Sequence, residues 1–302
     1  MEYSDQPADI TAFLTDLARQ PRSAKTWQAY RSDLNLFASW LTQTTGDPFS
    51  AETLTRIDVR DYKQHLLAVE GRAAATVNRR LAALRAFCAW AKRTARVAEL
   101  ATEGIADVPV PRQAPKALDE RSVDRVLRRA EQAGNRRDLA ILMTLRHTGI
   151  RVAELCDLRV GDVETGERKG SLTVRAGKGM KQRTVPLNAD VRRALARYLT
   201  DERHGAGAEE YLFISQRTKG RLTEKAVRGI AAKYGYHAMV EDAHPHAFRH
   251  SFATELLRKG VPLTAVGALL GHESLQSTAR YTQPSPKDLR DAVQKLALEE
   301  DR

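Results

Sequence analysis

Within thirty-seven residues near the end of this 302-residue chain stand His246-Ala247-Phe248-Arg249-His250, Leu269-Leu270-Gly271-His272 and Ala279-Arg280-Tyr281-Thr282. Far upstream comes Thr148-Gly149-Ile150-Arg151-Val152-Ala153-Glu154-Leu155. These residue types suit metal-free attack on a phosphodiester. Such an ester resists nucleophiles because its oxygens are anionic, and its displacement gathers further charge that cations must meet. Arginine is the metal-free cation, since its planar fork grips one phosphate through two hydrogen bonds and never loses its charge. Arg151 and Arg249 could clamp two sides of one phosphate. Tyr281 is the candidate nucleophile, and a phenol of pKa about 10 needs a nearby base or a cationic field to attack at neutral pH. His246 and His272 could pass protons and hydrogen bonds around it. The leaving deoxyribose oxygen needs a proton, which Lys178 in Ala176-Gly177-Lys178-Gly179 could bring, with Lys181 as the neighbouring competitor. Attack by a side chain keeps the bond energy in a phosphotyrosine, so a strand could be rejoined without ATP.

Metal-dependent nucleases use carboxylate clusters that hold divalent ions. No acidic cluster, His-Glu-x-x-His or cysteine pair accompanies these histidines, so no metal or other cofactor is expected. Taken singly, each residue has an ordinary explanation. Arg151 and Glu154 stand at i, i+3 and would make a helix-surface ion pair; in this context Glu154 is expected to support Arg151. His244, before Pro245, reads as a loop residue, and His250 as a packed support for its neighbours. Cys88 and Cys156, alone in apolar helical patterns, read as reduced core residues of a cytosolic protein.

The elements that must carry these residues are mostly helical. Apolar residues recur at three- and four-residue spacing over 8–19, 24–42, 59–69 and 73–95. Gly104 to Pro115 holds three prolines in its last seven residues and cannot continue a helix, which places a linker over 108–117 between domains of 1–107 and 118–302. Beyond it, helices are predicted over 119–133, 135–148, 189–200, 223–233, 247–259, 263–270 and 287–298. Strands over 172–175 and 183–187 would flank a hairpin whose tip carries Lys178. The fold class is therefore mainly α with a small antiparallel sheet: a helical N-terminal domain followed by a mixed α/β domain.

The net charge of +11 points to a polyanionic partner. Residues 1–110 are nearly balanced, with fourteen Lys+Arg against thirteen Asp+Glu, but 71–98 carries Arg72, Arg79, Arg80, Arg85, Lys92, Arg93 and Arg96 and no acid. Beside the apolar stripe Val77, Leu81, Leu84 and Phe87, such a stretch predicts a helix that packs on one side and meets phosphates on another. No apolar run approaches the roughly 18 residues of a membrane span, and the first residues lack a signal-peptide pattern. A soluble cytoplasmic protein, nucleoid-associated when bound to DNA, is expected.

The whole series resembles the signature of the tyrosine recombinase (lambda-integrase-like) family, and within it the compact Xer-type enzymes. The first arginine of that signature falls on Arg151, the hairpin lysine on Lys178, and the His-x-x-Arg-His box on His246, Arg249 and His250. The Leu-Gly-His box gives His272, and the tyrosine nine residues later is Tyr281. Phe248 departs from the usual leucine, and 162–170 is slightly longer than in the shortest members. The resemblance covers nearly the whole chain. It implies a core-binding (SAM-like) DNA-binding domain, with Arg72, Arg79, Arg80, Arg85, Lys92 and Arg93 as DNA contacts, and Lys181 and Arg183 as further ones on the catalytic domain. It also implies a C-shaped clamp around a double-stranded recombination site. Tyr281 would form a 3′-phosphotyrosyl link with release of a 5′-hydroxyl. Four protomers on two sites, of one recombinase or of two, would exchange strands through a Holliday junction. Leu289, Val293 and Leu296 on the last helix would dock on a neighbouring protomer. The resemblance leaves the event open between dimer resolution and mobile-element integration, though no N-terminal arm-binding domain is expected. Two other readings stay open: a type IB topoisomerase relaxing DNA by the same bond chemistry, and a sequence-specific regulator without catalysis.

Overall fold

The chain divides after Arg112 into two units, each with its own apolar interior, in the computed structural model, which describes residues 6–20, 24–110, 118–175 and 182–271. The first unit is built from α1 (Ala8–Ala18), α2 (Ala24–Thr45), α3 (Arg56–Ala68) and α4 (Ala74–Arg93). Its interior is aromatic: Phe13, Phe37, Phe49, Tyr62, Phe87 and Trp90 are buried, with ring pairs such as Phe37–Tyr62 at 4.9 Å between centroids. α3 starts earlier than apolar spacing predicts because Thr55 and Asp58 cap each other's backbone N–H groups.

The prolines that suggest a linker begin after a tethered segment. Asn78 on α4 exchanges two hydrogen bonds with the backbone of Val108, at 2.9 and 2.8 Å. Lys63 and Arg85 donate to the carbonyls of Ala106 and Ile105. Residues 105–108 thus lie along the first unit.

The second unit contains α5 (Glu120–Gln132), α6 (Arg136–Thr148), α7 (Val152–Asp157), α8 (Ala189–Glu202), α9 (Glu224–His237), α10 (Pro245–Arg258) and α11 (Leu263–Leu270). It also holds three antiparallel strands in the order β1 (Val163–Thr165), β2 (Gly170–Val174), β3 (Arg183–Pro186). Side-chain caps begin most of these helices: Asp119, Asn135, Asn188 and Thr223 each accept a backbone N–H from three residues on. β2 pairs with β3 in a register that sets Leu172 opposite Val185, and both are buried. The expected hairpin is present. The sheet's third strand, β1, is not predicted by the sequence pattern; it lies in the slightly longer stretch 162–170 and pairs Val163 with Leu172. The short helix α7 is likewise not predicted. The hairpin tip (176–181) and the expected final helix (287–298) lie outside the described residues. Among the described residues, no helix is long and apolar enough to cross a membrane.

Candidate active site

Arg151 is positioned by the end of one helix and the start of the next. α6 stops at Gly149, whose φ of +62° is left-handed and favours glycine. A Cβ there would lie 2.4 Å from Phe252 Cδ1 and 2.9 Å from Leu270 Cδ2, so close packing as well as conformation requires glycine. Two residues on, Arg151 is the N-cap of α7. Glu154, buried in the first turn, accepts its backbone N–H at 2.7 Å and its Nη1 at 2.9 Å. The expectation that Glu154 supports Arg151 has this geometry behind it. Burial alone would raise the Glu154 carboxyl; hydrogen bonds from Arg183 and from the Arg151 backbone outweigh it and hold the carboxyl below the usual range.

Arg249 enters from α10, which is fixed by His244 and Pro245. His244 stands outside the helix, as expected, and has a task there: its Nδ1 caps α10 by accepting the Ala247 N–H, and Pro245 fills the first helical position. That start aims Phe248 into the core and leaves His246 exposed, its ring 4.5 Å from that of buried His250 in an edge-on contact. Arg249 is only 2% exposed and donates Nη1 to the Gly149 carbonyl at 2.6 Å and Nη2 to the Leu270 carbonyl at 2.9 Å.

The end of α11 gathers these groups. A helix leaves its last four carbonyls without partners inside the helix. Here Gly271, left-handed at φ +64°, donates its N–H to Gly267 and Ala268. Arg183 Nε then serves the Leu269 carbonyl at 3.0 Å, Arg249 the Leu270 carbonyl, and Arg151 Nη2 the Gly271 carbonyl at 3.3 Å. Three guanidiniums thus meet three successive carbonyls, where the helix dipole is negative. His272 is the next residue in the chain.

The described structure therefore brings Arg151, Glu154 and Arg249 into one corner, with His246 and His250 on the helix that carries Arg249. Lys178, Lys181, His272 and Tyr281 lie outside the described residues. Arg183 does not match the DNA contact expected of it. Its side chain is 12% exposed, and its fork is spent on Glu154 and Leu269. Alternation along β3, a signal already in the sequence, sets its side chain on the face shared with buried Val185.

The basic stretch also needs correction. Arg80 is 6% exposed, because spacing 77–80–81–84 puts it on the buried stripe of α4; its Nη1 donates to Tyr62 Oη at 3.1 Å. This burial does not match the DNA contact expected of it. The lack of acids holds in sequence but not in space. Arg72 pairs with Glu70, Arg79 with buried Asp33, Arg85 with Asp107, Arg93 with Asp16 and Arg96 with Asp9. Arg72, Arg79, Lys92 and Arg93 remain exposed, and Arg85 half-buried. Exposed ion pairs are worth about 0–1 kcal/mol, so phosphates could displace Asp107 from Arg85 and Asp16 from Arg93; Arg79 would first have to release buried Asp33.

Comparison with known proteins covers both units. The phage integrase family model matches residues 116–288, and the phage integrase N-terminal SAM-like domain matches 10–95. The tyrosine recombinase XerC of Corynebacterium glutamicum is 32% identical over 302 residues, spanning 97% of this chain and 94% of that protein. The tyrosine recombinase XerA of Pyrococcus horikoshii is 36% identical over 198 residues, spanning 65% of this chain and 66% of the relative. The fold is shared with the XerH site-specific recombinase bound to its difH substrate before cleavage. That likeness has a TM-score of 0.72 at 20% identity, over 97% of this chain and 90% of that one.

Proposed function

Because the chain belongs to the phage integrase family, we infer that it is a site-specific DNA recombinase, a strand transferase that cuts and rejoins DNA. The observation that carries the catalytic assignment is the convergence of Arg151 and Arg249 on the Gly271 and Leu270 carbonyls. It assembles, one residue before His272, a cationic corner from segments about a hundred residues apart.

On this reading the Tyr281 oxygen attacks phosphorus, and the bond from phosphorus to the 5′ oxygen breaks. A 3′-phosphotyrosyl link forms, and the 5′ oxygen leaves as a hydroxyl with a proton from Lys178. Arg151, Arg249 and His272 meet the charge that develops on the non-bridging oxygens, and His246 assists the movement of the phenolic proton. A second DNA end reverses the step. Residues 1–107 act as the core-binding domain and contact phosphates through Arg72, Arg79, Arg85, Lys92 and Arg93, with Lys181 adding a contact beside the hairpin. The assembly is a tetramer on two sites that exchanges strands through a Holliday junction, in the cytoplasm on nucleoid DNA. The final helix docks on a neighbouring protomer. Neither DNA relaxation alone nor a non-catalytic regulator is favoured by the Xer relatives.

The test is covalent capture. Binding selection from the chain's own genome supplies a duplex, which is then nicked beside the cleavage position so that the released fragment diffuses away. Wild type should leave a denaturant-resistant protein–DNA adduct and Tyr281→Phe none. Failure of wild type to form an adduct on a tightly bound site sinks the reading.

A further inference from the structure

We propose that Arg183 is a positioning residue for strand transfer, acting on Arg151 through Glu154 and on the turn before His272, and that it makes no DNA contact. The inference rests on the recombinase reading above. Arg183 opens β3, directly after the hairpin segment that carries Lys178. Its Nη1 donates to Glu154 Oε1 at 3.0 Å and its Nη2 to Oε2 at 2.8 Å. Arg151 Nη1 also donates to Oε1, and the Arg151 backbone N–H to Oε2. Each carboxylate oxygen thus receives two hydrogen bonds, which saturates its lone pairs. Glu154 is shared between two guanidiniums. Arg183 takes part of its negative charge and leaves more of the Arg151 charge to face a phosphate.

A second observation is independent of Glu154. The third nitrogen of the fork, Nε, holds the Leu269 carbonyl, and the guanidinium lies flat against Gly271. A Cβ on Gly271 would stand 2.7 Å from Arg183 Nη1, 2.8 Å from Cζ and 3.0 Å from Nε. One planar group therefore ties β3 to the carboxylate that orients Arg151 and to the turn that leads into His272. Lysine cannot do this, because a single ammonium cannot present three donors in one plane. To grip a phosphate, Arg183 would have to release the buried Glu154, so its orienting role and DNA contact compete.

Misplacing reacting groups by about 1 Å can cost 10²-fold in rate. We expect Arg183→Met and Arg183→Lys to slow adduct formation on the nicked duplex by roughly 10- to 100-fold. Affinity for the same duplex, and the slope of log affinity against log salt, should stay at wild-type values. A phosphate contact would instead weaken binding and reduce that slope by about one. Because Arg183 acts through Glu154, Arg183→Met combined with Glu154→Gln should be no slower than the slower single variant; multiplied losses would overturn the proposal. A duplex with sulfur in place of the bridging 5′ oxygen has a leaving group that needs no proton. The Arg183 defect should persist on it, and full recovery would assign the residue to the Lys178 step instead. Should Arg183→Met fail to fold, Arg183→Lys and Glu154→Gln carry the same comparisons. Loss of all adduct by wild type speaks against the recombinase reading, whereas a wild-type rate or a lower salt slope in the Arg183 variants speaks against this one.

Discussion

Replacing Gly149 by alanine separates backbone conformation from crowding at the centre of the site. Two penalties act there. The left-handed conformation costs an L-residue about 1–2 kcal/mol, and forcing a methyl into a packed core costs about 1–3 kcal/mol more. The second applies because the new Cβ would lie 2.4 Å from Phe252 Cδ1, well inside contact distance. Gly134, which follows α5 in the same unit, supplies the control. It has φ +70°, and a Cβ added there would meet nothing within 4 Å, so only the conformational penalty applies. Gly149→Ala should therefore cost about 2–5 kcal/mol against about 1–2 for Gly134→Ala. At about 2–4 °C per kcal/mol for a unit of this size, the melting temperature should fall by roughly 4–20 °C and 2–8 °C respectively. Circular dichroism melts and urea midpoints of the full chain give both values. Only Gly149→Ala should also slow adduct formation, because the Gly149 carbonyl holds Arg249. Equal losses of stability at the two positions would falsify the argument, since the crowding by Phe252 and Leu270 would then be relieved at no cost.

Two further outcomes test the corrected electrostatics. Arg80→Met should cost about 1–3 kcal/mol, because the buried Tyr62 hydroxyl loses its partner, and should leave the salt dependence of DNA binding unchanged; Lys92→Ala should leave stability unchanged and lower the salt slope by about one. Acid should destabilise the second unit: hydrogen bonds and nearby arginines hold the Glu154 and Glu255 carboxyls low against burial, and burial with Arg146 nearby holds His147 low. A folded value below the unfolded one stabilises above the unfolded value, so urea midpoints should decline as pH falls below about 6.5 through His147 and below about 4.5 through the glutamates. Glu154→Gln should flatten the more acidic part of that decline.

Much of the fold was legible because apolar spacing and caps report burial locally. α4 and α6 follow from their stripes and α5 from Asp119, and the β2–β3 hairpin follows from two short β-branched runs around glycines. β1 was not legible, since Val163-Glu164-Thr165 is too short to show alternation and owes its pairing to β2. α7 was hidden for a similar reason: six residues cannot show a helical period, and Arg151 with Glu154 supplies its cap. In the site, Arg151, Glu154 and Arg249 were legible from residue type and motif. Most partners of the basic stretch were not, because Asp9, Asp16 and Asp33 come from other helices; only Glu70, two residues before Arg72, shares a short window with its partner. Arg80 could have been found. Its spacing from Val77 and Leu84 is that of a core position, and at such a position the helical period outranks the charge of the side chain.

Bringing arginines together is itself unfavourable, and the way this cost is met bears on catalysis. Arg151, Arg183 and Arg249 would repel one another if nothing stood between them. One carboxylate, Glu154, answers two of them, and the carbonyls of Leu269, Leu270 and Gly271 answer all three with partial charge. Those carbonyls have no partners inside the helix, so one set of contacts both serves the end of α11 and holds the cations. Among these described groups, three full positive charges face one full negative charge. A second carboxylate would hold the arginines as firmly but would cancel the field a phosphate requires. Neutral carbonyls fix direction while leaving net charge in place, which prepares the corner for an anion before it arrives.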